Sequence, residues 1–268
     1  MGLAWPAEAI RHAVAPLLPG FRVEVVPEID STNSELMRRA RAGRRDPLLL
    51  VAEQQTAGRG RLGRTWLSDG PVRGNDPSPA DGKARMAGSL TFSLSLPLAP
   101  QEWSGLSLAV GVSVARSLHP ALQLKWPNDI WLRDRKLAGI LIETASFGER
   151  RFAVIGIGIN VLPRAAQGLS VPPACLQEVL PELDASAALL RIVPALVQAL
   201  LLFEARGFGP FQAAFKTRDV LLGRAVVLSD GSTGIAAGVD GTGALLVHTS
   251  AGMKAITSAE VSVRPAGA

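Results

Sequence analysis

Gly58-Arg59-Gly60-Arg61-Leu62-Gly63-Arg64-Thr65-Trp66 follows a short apolar run, Leu48 to Ala52, and the reading of this stretch decides the fold. Gly58, Gly60 and Gly63 match the G-x-G-x-x-G of dinucleotide-binding folds letter for letter, directly after an expected strand. That fingerprint has to open a helix, whereas Thr65-Trp66-Leu67-Ser68-Asp69-Gly70-Pro71 breaks one. Three arginines also crowd a loop whose bare backbone would need to touch a pyrophosphate. A doubly wound dinucleotide fold is therefore rejected. Glycine lets backbone N–H groups approach a ligand and guanidinium groups fork onto phosphate or carboxylate, so the stretch reads as an anion-binding loop, disordered until its anion arrives.

Outward from the loop, helix and strand signals mix. Pro6 to Leu18 reads as a helix and Phe21 to Val26 as a strand. Thr32 with Glu35 three positions later is a capping box opening a helix whose apolar face is Leu36, Met37 and Ala40. Asp69 to Arg85 is rich in Gly, Pro, Asp and Asn and reads as a long surface loop or insertion. Ser89 to Leu96 alternates Leu and Phe against Ser and Thr, the pattern of a half-buried strand. Trp103 to Leu118 has helical spacing, and Leu122 to Trp126, Ile130 to Leu132, Lys136 to Glu143 and Phe152 to Val161 are strands. Asp184 and Ser186 can cap a long helix from about Ala187 to Ala205, and Phe208 to Lys216 adds a short aromatic one. Closely spaced strands joined by Gly-containing turns from Leu222 onward describe a small SH3-like β-barrel. The fold class is α+β: a mixed-sheet domain over residues 1–218, with the insertion near 69–85, and a barrel over 219–268.

Composition bounds the function. With 268 residues and 47% hydrophobic content the chain can bury a sizeable core. Lys+Arg 28 against Asp+Glu 23 is a mild excess and does not by itself argue for nucleic acid. The single Cys175 forms no internal disulfide and offers no zinc-site spacing, which suits a reducing cytoplasm. Glu8, Arg11 and His12 interrupt the N-terminal apolar residues, so no signal peptide is expected. No apolar run is expected to reach the ~20 residues of a membrane span.

The residues with chemical potential are the loop arginines, Lys136, Asn128-Asp129 at a strand break, and Asn160 at a strand end. Strand parity places Lys136 on the face of Ala138, Ile140 and Ile142 and puts Glu143 on the opposite one. Lys136 is then either an exposed strand end or a functional cation. Asn160 either closes a packed strand or presents its amide to a base edge. His12, His119 and His248 stand in unpromising contexts, so no Ser/His/Asp set arises. Catalysis by positioning and charge neutralisation fits better, as in nucleotidyl transfer.

Five segments occurring in order carry a resemblance. They are Ser31-Thr32-Asn33, Gln55 through Arg64 with Trp66, Lys125-Trp126-Pro127-Asn128-Asp129, Lys136 through Glu143, and Gly156-Ile157-Gly158-Ile159-Asn160. With the small C-terminal barrel, the chain resembles the biotin–protein ligases over nearly its whole length, and so a class II synthetase-like fold. The resemblance implies ATP-dependent formation of biotinyl-5'-AMP and transfer of biotin to a lysine of a biotin carboxyl carrier protein. It implies Ser31, Thr32, Asn33, Gln55, Arg59, Gly60, Arg61 and Lys136 around biotin, and Arg61, Arg64, Trp66, Asn128, Lys136 and Asn160 around ATP. Arg61, Lys136 and Asp129 would be catalytic, with Asp129 also the Mg²⁺ ligand. The resemblance further implies no membrane, and a monomer or homodimer. About thirty residues precede Ser31, fewer than a winged helix-turn-helix needs, so a DNA-binding domain is not expected. A lipoate- or octanoate-type ligase and a biotin-sensing nucleic-acid regulator are the alternatives. Gly88-Ser89-Leu90 stands where family members have Gly-Asn-Leu, so one polar contact is expected to differ.

Overall fold

A computed structural model describes residues 3–68, 87–148, 150–165, 171–228, 230–257 and 263–265; the expected insertion, Asp69 to Arg85, lies outside them. In chain order the elements are α1 (Ala7–Val14), β1 (Arg22–Ile29), α2 (Thr32–Arg41), β2 (Leu48–Gln55), β3 (Ser89–Pro97), α3 (Leu106–Leu118), β4 (Gln123–Lys125), β5 (Asp129–Leu132), β6 (Arg135–Phe147) and β7 (Arg150–Asn160). There follow α4 (Ala185–Arg206), α5 (Gly209–Lys216), β8 (Ala225–Leu228), β9 (Thr233–Val239), β10 (Leu245–Thr249), β11 (Gly252–Ile256) and β12 (Val263–Pro265).

The first seven strands form one sheet in the order β1-β2-β3-β7-β6-β5-β4. Only β1 and β2 run parallel, joined by the crossover helix α2; the other neighbours are antiparallel. This is the mixed sheet of the α+β class. One face buries Leu49, Val51, Leu90, Phe92, Leu94, Leu96, Ile155, Ile157 and Ile159 in a large core shared with α1, α3 and α4. The opposite face meets α2 in a smaller core of Leu36, Met37, Ala40, Leu48, Leu50, Phe152 and Val154. α2 covers only part of that second face, and among the described residues a cavity opens on the remainder.

Three expectations change on folding. The polar side of β3 is not solvated: Ser89, Thr91, Ser93 and Ser95 are all buried, because this strand is central and lies under α2. Their hydroxyls find partners instead of water, Thr91 Oγ1 donating to Ala52 O at 2.9 Å and Ser93 Oγ to Asn33 Oδ1 at 2.7 Å. The N-cap of α2 is Ser31 rather than Thr32, with Ser31 Oγ accepting from Ser34 N. Glu35 does not close a capping box; it pairs with Arg38 and Arg39. Helix α4, capped by Asp184, has 22 residues and a mean hydropathy of 2.0 in its most apolar stretch, so one helix does meet the length and composition of a membrane span. Arg191 and Glu204 had masked this in the sequence, and half of that stretch is buried within the core. Its Leu189, Ile192, Val193, Leu196, Leu200 and Phe203 are completely covered by the protein.

The last five strands form an antiparallel sheet in the order β11-β10-β9-β8-β12, consistent with the expected SH3-like barrel. It is tied to the large sheet at named points. Trp126 Nε1 donates to Gly243 O at 3.1 Å, and Arg224 pairs with Asp134 at 2.7 Å. Asp219 sits on the connection, forming an isolated bridge with Leu124 while Oδ1 accepts from Leu221 N at 2.9 Å. Its Oδ2 is buried without a partner, and burial pushes the carboxyl up to about 6.

That carboxyl predicts a pH dependence. With its folded pKa above the unfolded value of ~3.9, Asp219 favours the folded state at low pH, and this contribution is lost as pH rises through about 6. Asp219→Asn keeps an acceptor for Leu221 N but removes the charge. Thermal unfolding should show a midpoint raised by a few degrees near pH ~7.5, with a much smaller gain near pH ~4.5.

Candidate active site

The floor of the site is made from rows of facing residues across β3, β7 and β6. Thr91 stands opposite Gly158 and Gly158 opposite Gly139; Ser93 stands opposite Gly156 and Gly156 opposite Leu141. Two glycines are demanded by contact. A Cβ on Gly156 would overlap the Asn33 amide, and one on Gly158 would overlap the Trp66 indole. Both side chains therefore rest directly on sheet backbone.

Helix α2 brings its first residues to this floor. Thr32 N and Oγ1 both reach Gln55 Oε1, at 2.8 and 3.0 Å, and Thr32 Oγ1 lies 2.7 Å from Ser93 Oγ. Asn33 Oδ1 accepts from Ser93, while its Nδ2 donates to Glu143 Oε2 at 3.0 Å and to Leu141 O at 3.3 Å. Ser31, Thr32 and Asn33 are all buried. The result is a fixed, neutral, polar end.

The glycine-arginine stretch closes the other side. It is a folded hairpin: Arg59 bridges Thr65, Gly60 N donates to Arg64 O at 2.7 Å, and Trp66 N donates to Gly58 O at 2.8 Å. A single tight turn over Arg61–Gly63 forms its tip, where Leu62 adopts φ 55 and stands 61% exposed. The expectation of a loop without structure is thus replaced by one held by its own backbone bonds. Arg59 pairs with Glu143 at 3.3 Å and donates to Ser34 Oγ at 3.2 Å. Arg61 Nη1 donates to Asn128 Oδ1 at 3.4 Å, and Asn128 Nδ2 is anchored on Ile140 O at 2.7 Å. Burial lowers the pKa of the Arg61 guanidinium, and the nearby Asp129 carboxylate opposes that shift. A partly dehydrated cation of this kind gains strongly from an arriving anion.

Lys136 overturns the parity expectation. Between β5 and β6 the register slips, Ile130 facing Ala138 while Trp131 faces Lys136, so β6 carries a bulge at Leu137. One extra residue reverses the side on which Lys136 projects. Its Nζ lies over Gly139, on the floor side with Glu143, and pairs with Asp129 Oδ1 at 2.7 Å. Glu143 is nonetheless not its partner, as expected.

The resulting cavity is lined by Ser31, Thr32, Asn33, Gln55, Arg59, Gly60, Arg61, Arg64, Trp66, Asn128, Asp129 and Lys136, among others. Every site residue named from the sequence is therefore at the cavity except Asn160. That amide is occupied by protein, Nδ2 donating to Ala174 O at 3.1 Å and Oδ1 accepting from Arg164 at 3.3 Å, while Arg164 also holds Leu67 O at 2.9 Å. Ser89, standing where an asparagine was expected, is buried opposite Asn160. Sequence reasoning passed over Thr91, Ser93, Lys125 and Gly139, which line the cavity, and Glu143, which supports it. The signal for the hydroxyls was present: one whole side of β3 carries nothing larger than threonine.

Among the described residues the cavity lining holds five cations, Arg59, Arg61, Arg64, Lys125 and Lys136, against the single carboxylate of Asp129. Such an imbalance asks for a polyanionic ligand. Trp66 adds an aromatic surface whose buried Nε1 has no partner.

Comparison with known proteins agrees with this geometry. Residues 84–160 match the Biotin/lipoate A/B protein ligase family, and residues 221–264 match the Biotin protein ligase C terminal domain. The bifunctional ligase/repressor BirA of Escherichia coli is 36% identical over 259 residues, spanning 93% of this chain and 76% of that protein. A biotin–acetyl-CoA-carboxylase ligase of Paracoccus denitrificans is 34% identical over 242 residues, spanning 87% of this chain and 96% of its own. Among solved structures, the biotin protein ligase from Aquifex aeolicus in complex with biotin and ATP superposes with a TM-score of 0.71 at 28% identity, covering 91% of this chain and 99% of that one. With the fold, the cationic cavity and relatives alike over most of their length, the chain belongs to the biotin protein ligase family.

Proposed function

We propose that this protein is a biotin–protein ligase: it joins biotin and ATP to give biotinyl-5'-AMP and pyrophosphate, then transfers biotin to a lysine of a biotin carboxyl carrier protein. The observation that carries the reading is the division of the cavity into a neutral polar end and a cationic end. Ser31, Thr32, Gln55 and Ser93 offer hydroxyl and amide groups suited to a polar heterocycle, while Arg61, Arg64, Lys125 and Lys136 gather where two anions would have to meet. The match to a biotin-specific C-terminal domain favours biotin over lipoate.

In the first step a biotin carboxylate oxygen forms a bond to the α-phosphorus and the bond to the pyrophosphate oxygen breaks. Arg61 and Lys136 neutralise the repulsion between carboxylate and phosphate and stabilise the charge growing on the leaving group. Asp129 holds Lys136 in place by their ion pair. In the second step the acceptor amine attacks the acyl carbon, the bond to the phosphate oxygen breaks, and AMP leaves with the same cations around it. Arg64 and the Trp66 ring cover the nucleotide, and Arg59 with Gly60 frames biotin from the loop. Asn160 supports this arrangement at one remove, through Arg164 and the backbone of Leu67.

Among the described residues Asp129 is the one carboxylate lining the cavity, and no group of three His, Cys, Asp or Glu gathers as a ligand set. Such a site fits Mg²⁺ entering as a nucleotide complex, with Asp129 as its protein ligand, and the ion would add neutralising charge at the phosphates. We read the chain as a ligase domain over residues 1–218 and a small barrel over 219–268, acting as a monomer or homodimer in the cytoplasm.

Two measurements check this reading. Biotin-dependent exchange of pyrophosphate into ATP should be present, and Lys136→Ala should lower its kcat/KM by about a hundredfold or more, with Arg61→Gly costing at least about tenfold. Unchanged exchange in both variants would overturn the assignment. Gly158→Ala places a methyl group where the Trp66 ring lies, so it should raise the KM for ATP by roughly tenfold while leaving the biotin KM less affected.

A further inference from the structure

Glu143 stands outside the cavity lining, yet its two carboxylate oxygens reach the two elements that shape it. Oε2 accepts from Asn33 Nδ2 at 3.0 Å, at the start of α2. Oε1 lies 3.3 Å from Arg59 Nη2, in the glycine-arginine hairpin. Arg59 is held a second time by Ser34 Oγ, at 3.2 Å through Nη1. The guanidinium is thereby pinned between a strand of the central sheet and a helix, at the base of the hairpin.

We propose that Glu143 is a positioning residue that seats this hairpin over the cavity, acting through Arg59. The proposal rests on the ligase reading and adds to it the strut that orients the loop. Arg59 bridges Thr65 across the hairpin, and Trp66 N bonds Gly58 O beside it. Fixing Arg59 therefore sets where Arg61 and the Trp66 ring fall. The pair is partly screened, with 25% of the Glu143 side chain and 51% of that of Arg59 exposed. An ion pair of that kind is modest, which suits a contact that must let the loop open for substrate and product. Asn33 keeps bonds to Ser93 and Leu141 O without Glu143, so the floor survives its loss while the loop, still held through Arg61 and Trp66, is seated less firmly.

The test uses Glu143→Gln, whose amide oxygen still accepts from Asn33 but carries no charge for Arg59. Trypsin cleavage after Arg61 in the ligand-free protein should quicken by about fivefold, and the biotin KM in pyrophosphate exchange should rise by a similar factor. Its kcat should stay within about twofold, and Glu143→Asp should restore part of both effects. In an Arg59→Met background Glu143→Gln should add nothing to either quantity. Unchanged cleavage and KM in Glu143→Gln, or full additivity with Arg59→Met, overturns the proposal; should Glu143→Gln fail to fold, the Glu143→Asp values and the Arg59→Met comparison decide it in the same way. Absence of exchange in the wild type would instead refute the ligase reading, and the cleavage ratios would still decide whether Glu143 seats the loop.

Discussion

Everything at this site depends on side chains resting on bare sheet backbone. Gly156 and Gly158 remove the Cβ atoms that would otherwise lift Asn33 and Trp66 away from β7. Opposite them, Thr91 and Ser93 are small enough to leave the cavity open and polar enough to bond the first turn of α2. A larger residue anywhere in these rows fills the space a ligand needs. The price of so much buried polar surface is met by pairing, since the hydroxyls of Thr32, Thr91 and Ser93 and the Asn33 amide all have partners within the protein.

Onto this neutral floor the chain delivers cations from three separate elements: the hairpin after β2, the strand end at Lys125, and the bulged start of β6. Several basic side chains outside the cavity are paired with carboxylates, among them Arg38 with Asp30 and Glu35, Arg39 with Glu24, and Arg22 with Asp46. The five cations of the cavity lining face the single carboxylate of Asp129 among the described residues, so positive charge is concentrated where anions would react. The small C-terminal sheet meets this region through Trp126, whose indole bonds Gly243 O two residues before Asn128 joins the cavity. A shift of that sheet would be felt directly at the strand break that carries Asn128 and Asp129.

Much of the fold was legible because its signals are local. The strands from Leu48, Ser89 and Phe152 and the helices from Thr32 and Asp184 all lie close to where alternation, apolar spacing and capping residues put them. Reading failed where a neighbour outweighed the local pattern. β3 alternates like a half-exposed strand, but its polar side lies under α2 and is buried. Lys136 follows strand parity only until the register slip at Leu137 turns it to the other face. Asn160 ends its strand as expected, yet it does not line the cavity, and its amide bonds Ala174 O and Arg164.

The sequence by itself determined the class of fold, the anion-seeking chemistry of the glycine-arginine stretch, and nearly all the side chains that line the cavity, because residue type and short-range spacing set backbone conformation and charge. The dinucleotide imitation at Gly58 could be dismissed on the same grounds, since nothing behind it can open a helix. Which face each strand shows, which cation meets which carboxylate, and that Glu143 joins the hairpin to α2 were decided only by the tertiary structure. These are contacts between residues up to 110 positions apart, as with Asn33 and Glu143, and a single bulged residue is enough to reverse them. The stretch that first read as a free loop is, in the folded protein, a hairpin held at its base by a carboxylate from β6 on the cavity face of the sheet.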